Sequence, residues 1–522
     1  GIAYSNDKGR TWKKYEANPV LTNPGIRDFR DPKVIWHEPT QKWVMALSVL
    51  DHLNFYGSEN LKDWELLSEF GREIGSHGGV WECPDLFPMI ADDGREYWVL
   101  IENMNPGNPN GGSGTQYFIG QFDGKEFTVD DQFMQLLSKT KEVVPEGKIF
   151  EDFENGYGQW TQEGEAFGNE PAAGSLKGQN PVKGYLGKRL LNSFYNGDGS
   201  KGKLVSKPFT IETNAINFLV GGGNHRGLTY IGLLVDDQLV RQTEGRNREM
   251  LEWNGWNVEA YKGSKAQIII VDNYEGAWGH INIDQITFAD ELASAAKSGS
   301  VWLDAGTDNY AGVTWSDVPA SDGRRIFMGW MSNWAYAQVV PTEKWRSAMT
   351  IPWSLSLEHV NGIPRLIGKP VKELDKLATG DWEKLDLNDG VGKLPSSGLY
   401  ELQINTSKLS NAPFGFQLSN SRGQKISLTL EKGTLSLDRT QTSDNSFSKD
   451  FPGIHVAERL DTSPNVKIHA FVDHSSIEIF IDDGKNIFSE LFFPDELYSR
   501  FTLIGSAGDT KVEVRPLKGI WN

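Results

Sequence analysis

Two spacings of 52 residues near the start of the chain constrain its fold more than any other feature. Trp12 and Trp64 lie 52 apart and close two similar stretches, Tyr4-Ser5-Asn6-Asp7-Lys8-Gly9-Arg10-Thr11-Trp12 and Tyr56-Gly57-Ser58-Glu59-Asn60-Leu61-Lys62-Asp63-Trp64. Pro32 and Pro84 repeat the same interval. Each proline opens a strand–turn–strand pattern: Lys33 to Val49 around the turn His37–Thr40, and Leu86 to Glu102 around the turn Ala91–Gly94. Both returning strands are aromatic, around Trp43 and Trp98. A period near fifty with several strands per unit predicts propeller blades. A β-sandwich also yields hairpins, but not two independent spacings that coincide.

The pattern changes near residue 148. From Phe150 to Asp290 the chain is dense in Gly and Asn and carries β-rich runs at Ile216–Val220, Ile231–Val235 and Ala266–Val271. That length is enough for a core of its own. After an Ala/Ser-rich patch, Ala293 to Ser300, propeller-like sequence resumes at Trp302-Leu303-Asp304. The middle segment is therefore read as an insertion. Beyond about Gly368, short alternating strands such as Ser476-Ile477-Glu478-Ile479-Phe480-Ile481 read as a β-sandwich. The expected all-β organisation is a propeller at 1–148 and 291–367, an inserted jelly-roll-like domain at 149–290, and a C-terminal β-sandwich at 368–522.

Composition removes several functions. A net charge of −18 over 522 residues offers nothing basic enough to follow nucleic-acid phosphates. No apolar run reaches the eighteen or so residues of a membrane-spanning helix, so no membrane insertion is expected. Cys83 is the only cysteine, which excludes an intrachain disulfide. His225, His280 and Asp284 in the insertion match no standard metal-ligand spacing, and turn or core roles are expected of them. No metal and no cofactor are expected.

The residues that invite chemistry are Asp31 in Phe29-Arg30-Asp31-Pro32 and Glu82 in Trp81-Glu82-Cys83-Pro84-Asp85. Glycosidic hydrolysis needs a protonated carboxyl for the leaving oxygen and an ionised carboxylate facing the anomeric carbon. Inner strands of neighbouring blades share a channel, and under the 52-residue period Arg30 aligns with Glu82. A cation beside Asp31 is expected to hold it ionised, while Trp81 and Cys83 flank Glu82 and favour its protonated form. On the residues alone, Asp31 and Asp85 also fit a plain role as caps of strand-initiating turns.

These motifs resemble the signatures of glycoside hydrolase family 32, the β-fructosidases. So do Asp304-Ala-Gly-Thr-Asp308-Asn-Tyr310-Ala, Trp330-Met-Ser-Asn333-Trp334-Ala-Tyr336 and Phe471-Val-Asp473-His-Ser-Ser476-Ile-Glu478-Ile-Phe480. The resemblance covers 1–148 and 291–522. It implies a five-bladed β-propeller, a β-sandwich, and a retaining displacement at fructose C2 of levan, inulin or sucrose. By it Glu82 would be the acid/base and Asp31 the transition-state stabiliser. Arg30 would orient Asp31 and bind the sugar, with Tyr310 and Trp334 lining the pocket. Cys83 would tune Glu82 or simply be buried. An exported, extracellular or periplasmic, protein is implied, and levan-type substrates are favoured by the insertion, which resembles jelly-roll inserts of levanase-like members.

The sequence also departs from that pattern. The nucleophile of the family belongs to a Trp-Met-Asn-Asp-Pro-Asn-Gly motif, and no such motif occurs here. Ser5-x-Asp7-x-Gly9-x-Thr11-Trp12 reads instead as an Asp-box hairpin turn. The first blade is thus expected to be largely missing, with Gly1 falling inside the second, and this exact chain to be weakly active or inactive. Trp353 stands where Arg is usual, which leaves that contact open. A non-catalytic carbohydrate-binding protein and a fructosyltransferase are the alternatives.

Overall fold

A computed structural model describes residues 1–138, 143–225, 227–246, 248–276, 278–293, 299–409, 412–443, 445–505 and 509–520. Most of the Ala293–Ser300 patch lies outside them. The chain divides into two compact units, one of residues 1–138 with 300–522 and the other of residues 139–299. Among the described residues the one α-helix is Asp131–Leu137, and everything else of substance is β. No helix there is long and apolar enough to cross a membrane.

In the larger unit, three antiparallel sheets have the strand order of a propeller blade. The Arg30 blade runs Phe29–His37, Lys42–Val49, His52–Ser58, Glu65–Phe70. The Glu82 blade runs Val80–Ile90, Glu96–Asn105, Gly114–Phe122, Phe127–Val129. The Tyr310 blade runs Tyr310–Thr314, Arg325–Met331, Trp353–Val360, Ile363–Pro370. One apolar core joins the three, including Phe55, Trp81, Val99, Phe118, Phe327 and Trp353.

The repeated Trp stretches form related turns, each closed by an indole bond to the carbonyl three residues earlier. Asp7 accepts the Thr11 amide at 2.8 Å and hydroxyl at 2.7 Å, Gly9 N–H donates to Ser5 Oγ, and the Trp12 indole N–H closes on Gly9 O at 3.0 Å. This turn joins the short strands Ala3–Tyr4 and Lys13–Lys14. In the Arg30 blade Asn60 caps Lys62 and Asp63, and the Trp64 indole N–H closes on Leu61 O at 3.0 Å. The Thr11 bonds favour the Asp7 anion and bring its pKa down to about 2, so Asp7 is tied up as a turn carboxylate.

The C-terminal part is a sandwich of two six-stranded sheets. In the strand Ser476–Ile481 the isoleucines face the sandwich core, as the alternation predicts. The opposite face is buried too, because it docks on the propeller: Phe480 packs on Trp353 with ring centroids 5.6 Å apart. Glu478 accepts the Ile351 amide at 2.7 Å and the Trp353 indole at 3.0 Å. Trp353 is therefore an anchor between propeller and sandwich.

Burial pushes the Glu478 carboxyl up to about 8. Its folded value exceeds its unfolded one, so the contribution to stability is complete below pH ~4.5 and is lost as pH rises through about 8. Thermal unfolding from pH 4.5 to 9 should show this decline, and Glu478→Gln should flatten it.

The smaller unit is a sandwich with its own core, formed by Phe218, Ile231, Leu233, Ile268, Ile270, Ile281 and Ile283 among others. The three β-rich runs read from the sequence lie in its strands Ala215–Gly222, Thr229–Val235 and Lys265–Asp272. His280 bridges Asp198 at 2.6 Å and Glu249 at 3.3 Å, Asp284 accepts the Leu186 amide, and His225 stacks on Tyr274. The first two are core roles and the third is a ring contact.

Candidate active site

The inner strands of the three blades share one irregularity. Register slips between Arg30 and Lys33, between Glu82 and Asp85, and between Tyr310 and Val313. Each slip is a β-bulge, and its first extra residue takes a left-handed backbone: Asp31 at φ 58°, Cys83 at 49° and Ala311 at 52°. Such angles are costly for residues with a Cβ and concentrate where structure is held for function. Pro32 and Pro84 suit the second position because a bulge needs no N–H there. Gly312 fills it in the third blade, where a Cβ would lie 2.1 Å from the Phe327 ring.

Because the bulges are equivalent, Arg30, Glu82 and Tyr310 converge. The Arg30 guanidinium donates to Glu82 Oε1 from Nη2 at 2.7 Å and from Nε at 3.1 Å. The Tyr310 hydroxyl donates to Glu82 Oε2. Asp28, just ahead of the strand and two residues before Arg30, holds Nη1 at 2.5 Å. Asp31 Oδ2 accepts the Cys83 amide at 3.2 Å and lies 3.6 Å from its thiol. Side-chain exposures of 31% for Asp31 and 17% for Glu82 leave both carboxyls open to a solute.

The electrostatics differ from the expectation in one respect. The cation expected beside Asp31 is 3.9 Å from it and much closer to Glu82 and Asp28. The reason is geometric: the bulge turns adjacent residues apart, so Arg30 reaches across to the next blade and not to its own neighbour. Burial opposes the Arg30 charge, but the bonds to Asp28 and Glu82 outweigh it and raise its pKa. Burial first, then Glu82, pushes the Tyr310 phenol well up, so it stays a donor. Burial, with Asp31 and Glu82 nearby, pushes the Cys83 thiol up to about 12, and Cys83 is a neutral thiol.

Trp334 stands one ring away from this centre. It is 47% exposed, and its ring lies 5.0 Å from Trp330, which lies 6.3 Å from Tyr310. Trp330 was not singled out from the sequence as lining the site, since only the pairing of Tyr310 with Trp330 across two strands reveals it. Asp28 was missed as well, although its place two residues before Arg30 was a usable signal. Asp85 is buried and used structurally: it binds Lys33 at 2.9 Å and the Thr314 amide at 2.6 Å, linking all three inner strands. Asp304 and Asp308 likewise serve the sandwich, accepting the amides of Ser489 and Leu491. Among the described residues, Asp92, Asp93 and His359 form the one trio of His, Cys or carboxylate ligand atoms close enough for a metal. Arg95 already bonds two of its members.

The fold is that of a β-propeller protein with a C-terminal β-sandwich, and two carboxyls, an arginine and a phenol meet where three inner propeller strands bulge. The description Glycosyl hydrolases family 32 N-terminal domain matches residues 1–144 and 242–370, and Glycosyl hydrolases family 32 C terminal matches residues 372–518. The chain belongs to glycosyl hydrolase family 32, whose fold is a five-bladed β-propeller with a C-terminal β-sandwich. Its whole length is 36% identical to 77% of the ecdE protein of Aspergillus rugulosus. It is 30% identical to the levanase of Bacillus subtilis (strain 168) and spans 55% of that protein's length. Among solved structures it resembles the exo-inulinase of Aspergillus awamori, with a TM-score of 0.63 at 24% identity over 99% of this chain and 74% of that one.

Proposed function

We propose that the chain acts on β-fructans or sucrose, binding a terminal fructosyl unit between the Arg30, Glu82 and Tyr310 blades. The observation that carries this is the convergence of Arg30, Glu82 and Tyr310 from equivalent bulges, with Asp31 beside them. In this reading Glu82 protonates the leaving oxygen and Asp31 stabilises the positive charge that develops at the sugar ring. In the geometry described, Glu82 accepts hydrogen bonds on both oxygens. To serve as acid it takes up a proton, and arriving substrate hydroxyls replace one of those donors. The levanase and the extracellular exo-inulinase of Aspergillus niger (strain ATCC MYA-4892 / CBS 513.88 / FGSC A1513), 26% identical over the whole chain, support levan or inulin as substrates and export as the destination.

The group that attacks C2 is not supplied by a Trp-x-Asn-Asp-Pro-Asn-Gly motif in these residues. Turnover of levan, inulin or sucrose by this exact chain is therefore expected to be slow. Azide or formate, entering where a carboxylate nucleophile would stand, is expected to raise it and give the inverted fructosyl product. The test is chromatography of the products from levan and inulin with and without azide. Free α-fructosyl azide, released with a fructan one unit shorter, supports cleavage chemistry by this site. Tight fructan binding with no azide-dependent product would favour the non-catalytic, carbohydrate-binding reading.

A further inference from the structure

Glu102 lies on the second strand of the Glu82 blade and is fully buried. Ser48 Oγ, from the second strand of the Arg30 blade, donates to its Oε1 at 3.2 Å. Oε2 is buried with no hydrogen-bond partner among the described residues. Gln116 stands opposite on the next strand, neutral, with its own amide nitrogen unpartnered. Its neighbour Asn103 pairs with Glu82 across the ladder and donates to Cys83 O at 3.0 Å. Glu102 thus sits directly beneath the bulge that aims the site.

The titratable groups that face it come from all three inner strands. Asp31 and Glu82 act on Glu102, and Glu102 acts on Cys83 and Tyr310. None of these is a cation. A buried carboxylate with two anions nearby and no ion-pair partner among the described residues is strongly disfavoured, and the group takes a proton instead. Burial accordingly raises its pKa well above the ordinary range.

We propose that Glu102 is a positioning residue for this site: a carboxylic acid beneath the catalytic strands whose uncharged form permits the Asp31–Arg30–Glu82 arrangement and whose ionisation disrupts it. A third negative charge there would repel Asp31 and Glu82 and draw Arg30 out of its contacts. The site would then carry an alkaline switch. The role in turnover rests on the function proposed above, whereas the protonation state does not.

Two measurements on the full chain separate those parts. Infrared difference spectra of the wild type against Glu102→Gln at neutral pH should show the carbonyl stretch of a protonated carboxyl in the wild type alone. Absence of that band overturns the proposal whatever the enzyme does with sugar. The second measurement is the pH profile of azide-supported cleavage of a nitrophenyl β-fructoside, whose leaving group needs no proton from Glu82. In Glu102→Gln the alkaline limb should extend by about one pH unit or more, with unchanged rates at acid pH. Glu102→Leu should lower kcat about tenfold with KM held, and Gln should restore it. Superimposed profiles for wild type and Glu102→Gln overturn the switch. A failure of every variant and the wild type to cleave the fructoside counts against the proposed function, and the infrared band still decides Glu102.

Discussion

Glu82→Gln is expected to lower azide-supported cleavage of sucrose by about 10²–10⁴-fold, the range for loss of a positioned general acid. Gln keeps the shape and one acceptor oxygen for the Arg30 guanidinium, and its NH2 can donate to the Tyr310 hydroxyl oxygen in a reversed bond, so substrate affinity should change little. What disappears is the proton. Tyr310 does not substitute for it, because burial and Glu82 push its phenol well up and leave it a poor acid. Nor does Cys83, whose thiol is pushed up to about 12. Steady-state kinetics should therefore show the loss in kcat with KM nearly unchanged. A loss confined to KM would make Glu82 a binding group.

Arg439→Met is expected to cost about 3–5 kcal/mol, the usual price of leaving buried carboxylates without their cation. Arg439 is fully buried in the sandwich strand Thr434–Gln441. Its Nη1 lies 2.5 Å from Asp308 and 2.8 Å from Glu490, its Nη2 donates to the Tyr336 hydroxyl at 2.8 Å, and its Nε donates to Phe451 O. Asp308 comes two residues before Tyr310, so this network ties the sandwich to the strand that carries the phenol. Burial opposes the Glu490 charge, but His455 at 2.6 Å and Arg439 hold its pKa low. Met fills the volume without the charge, and Asp308 and Glu490 then repel each other in a dry interface. Calorimetry should show a melting point lower by roughly 4–7 °C at neutral pH. A shift under about 2 °C would mean the network is not what joins the two parts.

Much of this was legible in the sequence, for identifiable reasons. The 52-residue interval survives because the Arg30 and Glu82 blades follow one another without interruption, and the paired prolines mark their bulges. The equivalence of Tyr310 was hidden. The compact unit of residues 139–299 interrupts the period before the Tyr310 blade, and Ala311-Gly312 makes the same bulge without proline. Arg30 illustrates a different limit: a sequence places it beside Asp31, while the left-handed Asp31 sends it across to Glu82. Asp304 and Asp308 have the look of site residues, yet their acceptors face amides of the sandwich, which only the docking of the two parts reveals. Glu102 reads as one polar residue in an ordinary strand. Its burial beneath two carboxyls depends on how three blades meet.

If Glu82 delivers the proton to the leaving oxygen, its loss must matter most where the leaving group needs that proton. Azide-supported cleavage by the wild type and Glu82→Gln would be compared on sucrose and on a nitrophenyl β-fructoside. The expected result is a deficit of about 10²–10⁴-fold on sucrose that shrinks to less than about tenfold on the activated substrate. Equal deficits on both substrates, or none on sucrose, would contradict it.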